Sequence, residues 1–350
     1  MKLKSDYDFS KIPFDRIVHL GQITMLNNDL FTVSWLLGRF CNYKCSYCWE
    51  HGRADKVDHR STDLCLKTID SIKTQARING FNSFHFSLSG GEPTLHPGYF
   101  DILNKLAIDK KYTNYTSIHM TTNLSKGMKW FEKYVTYANV FDRASITASY
   151  HREYIRDKEE IFADKLVFLQ DNNIKITINM VMVPEMFDDL YRAALYFHNR
   201  GLNVTLKPQS DPHANYVVKG YTPEQLDILH NGMPQQEKTQ VFYQVMLTDD
   251  TGKEWYMDQA ERFNAFNFNC FKGWECSSGF RSIIIREPCG SIKRSYSCHD
   301  GPLGNIETGF DLFSEPTICT SPSCVSSADS KIPKRKVGCK LPLWKKVKNE

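Results

Sequence analysis

Between residues 30 and 207 the chain switches six times from a short β-branched or aromatic run to a longer amphipathic or loop-like one. The run "DLFTVSWLL" (29–37) reads as a strand. "STDLCLKTIDSIKTQARING" (61–80) reads as a helix, with Ser61 or Thr62 as its cap, apolar residues at helical spacing and Gly80 as its stop. "FNSFHFSLS", "TSIHMTTN", "RASITAS", "IKITINMVMV" and "LNVTLKP" read as further strands, each but the last trailed by a helical run. Strands joined by helices of this length lie parallel, and their crossovers are right-handed. The pattern predicts an α/β core of six β-α steps with helices outside the sheet. Such a sheet either curls into a barrel or stays open and doubly wound. In both cases ligands belong at the C-terminal ends of the strands.

The flanks differ from this core. Residues 1–29 read as an N-terminal extension, 30–210 as the core and 211–265 as a connecting segment, with two strands around "TDDTGKEW". Residues 266–330 hold short strands and many cysteines. Residues 331–350 form a basic tail with eight Lys/Arg against one Glu, able to touch phosphates or simply to stay solvated. The net charge of +4 does not by itself imply a polyanionic partner. The N-terminus lacks an apolar signal region, and no run is long enough to span a membrane. The eleven cysteines, an odd count, therefore point to a cytoplasmic protein that uses them for metal or chemistry rather than disulfides.

"GRFCNYKCSYCWEHGR" (38–53) follows the first strand and spaces Cys41, Cys45 and Cys48 as C-x3-C-x2-C. Three thiolates can hold three irons of a cube and leave the fourth without a protein ligand, an open position of the kind catalysis needs. A zinc site completed by His51 is the rival. "SLSGGEPTLHP" follows the second strand. In it Gly90 and Gly91 permit a tight turn beside a ligand, and Glu92 offers a carboxylate to an ammonium.

The cysteine triplet, with Tyr47 before its last member, and the Gly90-Gly91-Glu92-Pro93 motif resemble the radical S-adenosylmethionine (SAM) enzymes. The resemblance implies a partial (β/α)6 TIM-like barrel and a [4Fe–4S] cluster on Cys41, Cys45 and Cys48. It implies that SAM chelates the open iron through its amino and carboxylate groups, and that Gly90–Pro93 contacts the amino group. Reduction of the cluster, by a donor such as flavodoxin or ferredoxin, then splits SAM to a 5′-deoxyadenosyl radical that takes a substrate hydrogen atom. Thr122 and Asn123 end the third strand and Ser149 lies near the end of the fourth, where polar residues of the family approach the ribose and carboxylate. Lys207, Gln209, Asp211 and His213 follow the sixth strand and are candidate substrate contacts.

Late in the chain, "CSSGFRSIIIREPCGSIKRSYSC" reads as a β-hairpin with Cys276 and Cys298 at its base, and "CTSPSC" brings Cys319 and Cys324 into one loop. Four thiolates so placed can close around a metal centre, an iron cube or zinc. This resembles the SPASM and twitch extensions of the same family. The shorter twitch type implies one auxiliary [4Fe–4S] cluster on Cys276, Cys298, Cys319 and Cys324, with Cys270 or Cys339 as substitutes. Cys289 falls in the hairpin turn, and Cys65 in the first helix reads as core.

The enzyme so implied oxidises, rearranges or couples a nucleotide, nucleic-acid or sugar-type substrate, and the basic tail favours an anionic one. A peptide-modifying enzyme is the alternative within the family. Outside it stands a non-catalytic zinc protein that binds nucleic acid.

Overall fold

The computed structural model describes residues 8–48, 53–211, 217–233, 243–258, 260, 262–286, 289–298, 300–324 and 326–343. In chain order the strands are β1 (Ile17–Gln22), β2 (Leu30–Leu36), β3 (Ser83–Ser89), β4 (Tyr115–Thr122), β5 (Arg143–Tyr150), β6 (Lys175–Met182), β7 (Val204–Pro208), β8 (Val245–Asp249), β9 (Glu254–Met257), β10 (Trp274–Cys276), β11 (Ser282–Arg286), β12 (Ser291–Lys293), β13 (Gly304–Asn305), β14 (Gly309–Phe310), β15 (Thr317–Ile318) and β16 (Lys334–Lys336). The helices used below are α1 (Ile23–Asn27), α2 (Thr62–Ile78), α3 (Tyr99–Ile108), α4 (Met128–Ala138), α5 (Arg152–Ile155), α6 (Glu159–Asp171) and α7 (Phe187–Asn199).

Strands β2 to β7 lie side by side in chain order, each parallel to the next, and form a partial barrel. One face of each strand is apolar. Val33, Trp35, Phe84, Phe86, Ile118, Ile146 and Ile178 pack against Ile69 and Ile72 of α2, Leu103 of α3, Phe131 of α4, Leu166 of α6 and Ala194 of α7. Each fully buried side chain of this size contributes about 1.5–3 kcal/mol. The helix α2 begins as its sequence predicts: Ser61 accepts a hydrogen bond from Leu64 N, and the chain turns away through Gly80 at φ +85°.

The C-terminal third joins this sheet. β11 pairs in parallel with the free edge of β2, with Ser282 beside Thr32 and Ile285 beside Trp35, and β12, β13 and β14 continue the sheet antiparallel. Arg281 fastens the junction. Its Nη2 donates to the carbonyls of Met25 (2.7 Å), Asn28 (2.9 Å) and Leu30 (3.1 Å), which meets orphan acceptors at the end of α1.

A second, antiparallel sheet runs in the order β15-β10-β16-β1-β8-β9. It ties Ile17–Gln22 from the N-terminal segment to Lys334–Lys336 from the basic C-terminal one. Lys334 is buried there rather than solvated. Among the described residues no helix is long and apolar enough to cross a membrane.

Candidate active site

The cysteine loop leaves the C-terminal end of β2 and is held from three sides. The first hold is the turn after β3. Gly91 N donates to Gly38 O (2.8 Å) and Glu92 N to Phe40 O (2.9 Å). The approach is so close that a Cβ on Gly91 would lie 2.2 Å from Arg39 O and 2.3 Å from Phe40 O. Gly90 adopts φ +142°, and a Cβ there would meet Gly38 O at 2.1 Å. The second hold is Asp58, whose Oδ1 accepts from Arg39 N (2.8 Å) and Phe40 N (2.9 Å).

The third hold comes from the segment after β5. His151 Nδ1 lies 3.2 Å from Cys45 Sγ and 2.8 Å from Tyr47 OH. Glu153 accepts from Ser46 N at 3.0 Å, and Tyr154 stacks on Tyr43 with centroids 4.1 Å apart. Ser149, the cosubstrate contact expected from the sequence, lies on β5 opposite Asn179, and the residues that grip the loop are the next few along. The clue available in the sequence is the polar and aromatic "HREY" directly after a strand of the core.

Burial pushes the Cys45 thiol up to about 12 and raises that of Cys41 as well. A metal cation at these sulfurs must therefore displace protons. No disulfide joins any of the eleven cysteines.

Glu92 also has partners within the chain. Its carboxylate is buried and accepts from Thr94 N (3.1 Å), Thr94 Oγ1 (2.6 Å), Thr122 Oγ1 (2.7 Å) and Asn123 N (2.7 Å). It bolts the top of β3 to the top of β4. Desolvation raises its proton affinity against the pull of these four donors. The bolt sets Asn123, whose side-chain amide reaches Asn42 Oδ1 (3.0 Å) and Cys41 Sγ (3.7 Å). What the glycine turn can still offer a ligand is backbone. Pro93 is buried as the first residue of a short 3-10 turn.

His96 closes this turn from behind. Its Nε2 faces Arg60 O at 3.1 Å and its Nδ1 accepts from Gly98 N at 3.1 Å, a pairing that only the neutral ring satisfies. Burial pushes its pKa down to about 4. An unfolded histidine takes up its proton near 6.5, so stability is lost as pH falls from 6.5 toward 4. At pH 5 the loss from this one ring is about 2 kcal/mol. Urea denaturation of the iron-free chain at pH 7.5 and pH 5 should show this drop, and His96→Gln should remove about that much of it.

The candidate substrate contacts lie at the end of β7 and after it. Lys207 lies beside Val181 in β7, Gln209 N donates to Tyr221 OH (2.7 Å), and Asp211 is buried. His213 lies outside the described residues, as does His51 of the rival zinc site.

A second group of cysteines lines one cavity. Cys276, Cys298, Cys319 and Cys324 share it with Asp329, Lys334 and several serines, whereas Cys270, Cys289 and Cys339 do not border it. They surround a space rather than closing on a point. Among the described residues no three His, Cys, Asp or Glu side chains converge as a single ion needs. The donor set, four thiols around one cavity, is that of a polynuclear cluster held at its corners. The three-cysteine loop fits one likewise, with the Gly90–Gly91 backbone beside it.

The two cysteine sites cap opposite ends of the parallel strands. Cys41–Cys48 and Gly90–Gly91 follow C-terminal ends. Cys276 precedes β11, and Cys298 follows β12, which runs antiparallel to β11 and so returns to the N-terminal end.

Residues 35–197 match the model of the Radical SAM superfamily. No curated protein matches the sequence. Among solved structures the chain is similar to native anSMEcpe with bound AdoMet, at 16% identity and a TM-score of 0.50, over 80% of this chain and 79% of that one. It is similar to native anSMEcpe with bound AdoMet and Cp18Cys peptide at 15% identity and a TM-score of 0.50, over 80% and 78%. BtrN in complex with AdoMet and 2-DOIA is 12% identical over 81% of each chain, with a TM-score of 0.39. At these identities the likeness is one of fold alone. The family match takes in the cysteine loop, the Gly-Gly-Glu-Pro turn and β3 to β6, and through this core of residues 35–197 the protein is a radical SAM enzyme.

Proposed function

We propose that this enzyme takes a hydrogen atom from a polar, hydroxyl-rich substrate of the sugar or nucleotide type, held between two iron–sulfur sites. Cys41, Cys45 and Cys48 hold the SAM-binding cluster. Cys276, Cys298, Cys319 and Cys324, within residues 266–330, hold an auxiliary [4Fe–4S] cluster. Bound and reduced by a donor such as flavodoxin or ferredoxin, the first cluster and SAM supply one-electron cleavage and, through it, hydrogen-atom abstraction. The chain's own residues position and exclude water. Asn123 orients the Cys41 side of the loop, and the Gly90–Gly91 backbone faces the docked cosubstrate. His151 fixes the Cys45 side.

The observation that carries the substrate class is the inner face of the barrel. Closed barrels of this kind fill that space with branched apolar side chains. Here the inward positions of β2 to β7 are mostly serine, threonine, asparagine and histidine, and none is a carboxylate. His85 Nδ1 pairs with Ser117 Oγ and His119 Nδ1 with Ser145 Oγ, each at 2.8 Å, and burial keeps both rings neutral. Such a wall hydrogen-bonds hydroxyls and tolerates anionic groups.

The test is anaerobic. The reconstituted chain should be brown, hold about eight irons and cleave SAM once reduced. Replacing Cys41, Cys45 and Cys48 together by Ala should abolish cleavage, and cleavage that survives refutes the assignment. Deuterium from a labelled sugar nucleotide should appear in 5′-deoxyadenosine. Label arriving only from serine- or cysteine-containing peptides moves the reading to peptide modification. A colourless, zinc-loaded protein moves it out of catalysis.

A further inference from the structure

The second cysteine cavity contains a fixed charge that the cysteine pattern does not announce. Lys334 lies beside Cys276 in the β10–β16 register and lines the same cavity as the four thiols. Its Nζ donates to Asp329 O (2.7 Å), Ser330 O (3.1 Å) and Ile332 O (3.0 Å). Three acceptor carbonyls consume three N–H bonds, so the group is an ammonium with no donor left for a sulfur. It is 1% exposed. It acts on whatever fills the cavity by charge and not by hydrogen bonding.

The other charges around the cavity are answered differently. Arg294 is buried, and its Nη1 is met by Asp300 at 2.6 Å. Asp329 also lines the cavity, and its Oδ2 accepts from Tyr296 N (2.9 Å) and Ser297 N (3.1 Å), which fixes the loop that carries Cys298. Lys334 is held by three carbonyl dipoles and lies over the Phe271 ring, 5.0 Å from its centroid. A buried cation that requires desolvation, placed against four thiols, needs a reason beyond stability.

On the reading of that cavity given above, we infer that Lys334 is a positioning charge that raises the reduction potential of the auxiliary cluster, while Asp329 lowers it. A four-thiolate cluster gains one negative charge on reduction, and a nearby fixed cation favours that form. Net charge and local electrostatics are among the levers that set such potentials.

The experiment uses the full chain with Cys41, Cys45 and Cys48 replaced by Ala, loaded with iron and sulfide without oxygen, so that only the second site contributes. Dithionite supplies the electron and is itself oxidised, and the reduced cluster is followed by its paramagnetic resonance. The background chain should hold about four irons. Lys334→Met should lower the ratio of reduced to oxidised cluster at least tenfold at a fixed potential, a midpoint drop of about 59 mV or more for a one-electron couple. Lys334→Gln, which keeps an amide donor in the cradle, should do the same where the Met variant fails to fold. Asp329→Asn should move the midpoint upward. An unmoved or raised midpoint in an iron-loaded Lys334 variant overturns the inference, as does an unmoved midpoint in Asp329→Asn. A background chain without iron instead overturns the cluster reading itself.

Discussion

Gly91→Ala should empty the three-cysteine loop of iron and cut SAM cleavage by about 100-fold or more. The added methyl meets two backbone carbonyls, Arg39 O at 2.2 Å and Phe40 O at 2.3 Å, and no rotamer change can clear it. The turn cannot step aside, because Gly91 N and Glu92 N both donate into that same strand of loop. Overpacking of this kind costs about 1–3 kcal/mol. The larger effect is positional, since displacement of reacting groups by about 1 Å can cost about 100-fold in rate. Iron should fall from about eight per chain to about four, with the auxiliary site intact. Wild-type iron and wild-type cleavage in this variant would show that the two loops do not need their contact.

Glu92→Ala should have the largest effect on folding. Removing the carboxylate leaves Thr94 N, Asn123 N and two hydroxyls pointing at one another in a buried space. Each buried donor left without an acceptor costs about 1–3 kcal/mol, and the two backbone N–H groups cannot turn elsewhere. Glu92→Gln should cost less, about 1–2 kcal/mol. The two threonine hydroxyls can rotate to suit an amide, but an amide NH2 cannot accept from Asn123 N. Urea denaturation of the iron-free chains measures both. Equal costs for Ala and Gln would mean that the cavity, not the charge, sets the penalty.

Much of the core is visible in the sequence because its determinants are local. Val33 and Trp35, or Phe84, Phe86 and Leu88, alternate at the spacing of a strand with one buried face, and Ser61 and Gly80 bracket a helix by capping chemistry. The three cysteines and the glycine pair advertise themselves by spacing. What escapes the sequence is set by partners far along the chain. "IVHLGQ" and "KRK" are too short and too mixed to predict a sheet, yet they pair as β1 and β16. A lysine in a basic tail reads as solvated, and only three converging carbonyls make burial of Lys334 tolerable. Glu92 draws two of its donors from Thr94, two residues on, but the other two, Thr122 and Asn123, stand at the end of β4, about thirty residues away, and no local pattern announces them. His151, Glu153 and Tyr154 carry no periodic signal, and their grip on residues 43–47 exists only once β5 stands near β2.

The pairing of β11 with β2 has a consequence for how this protein is made. Leu30–Leu36 leaves the ribosome early, but the strand that covers its outer edge is Ser282–Arg286, and the guanidinium that satisfies Met25, Asn28 and Leu30 is on Arg281. Until some 250 further residues have been translated, the nascent sheet keeps one bare rim, a template for intermolecular pairing. A fragment cut before residue 281 inherits that rim permanently, so the N-terminal two-thirds should aggregate when expressed alone.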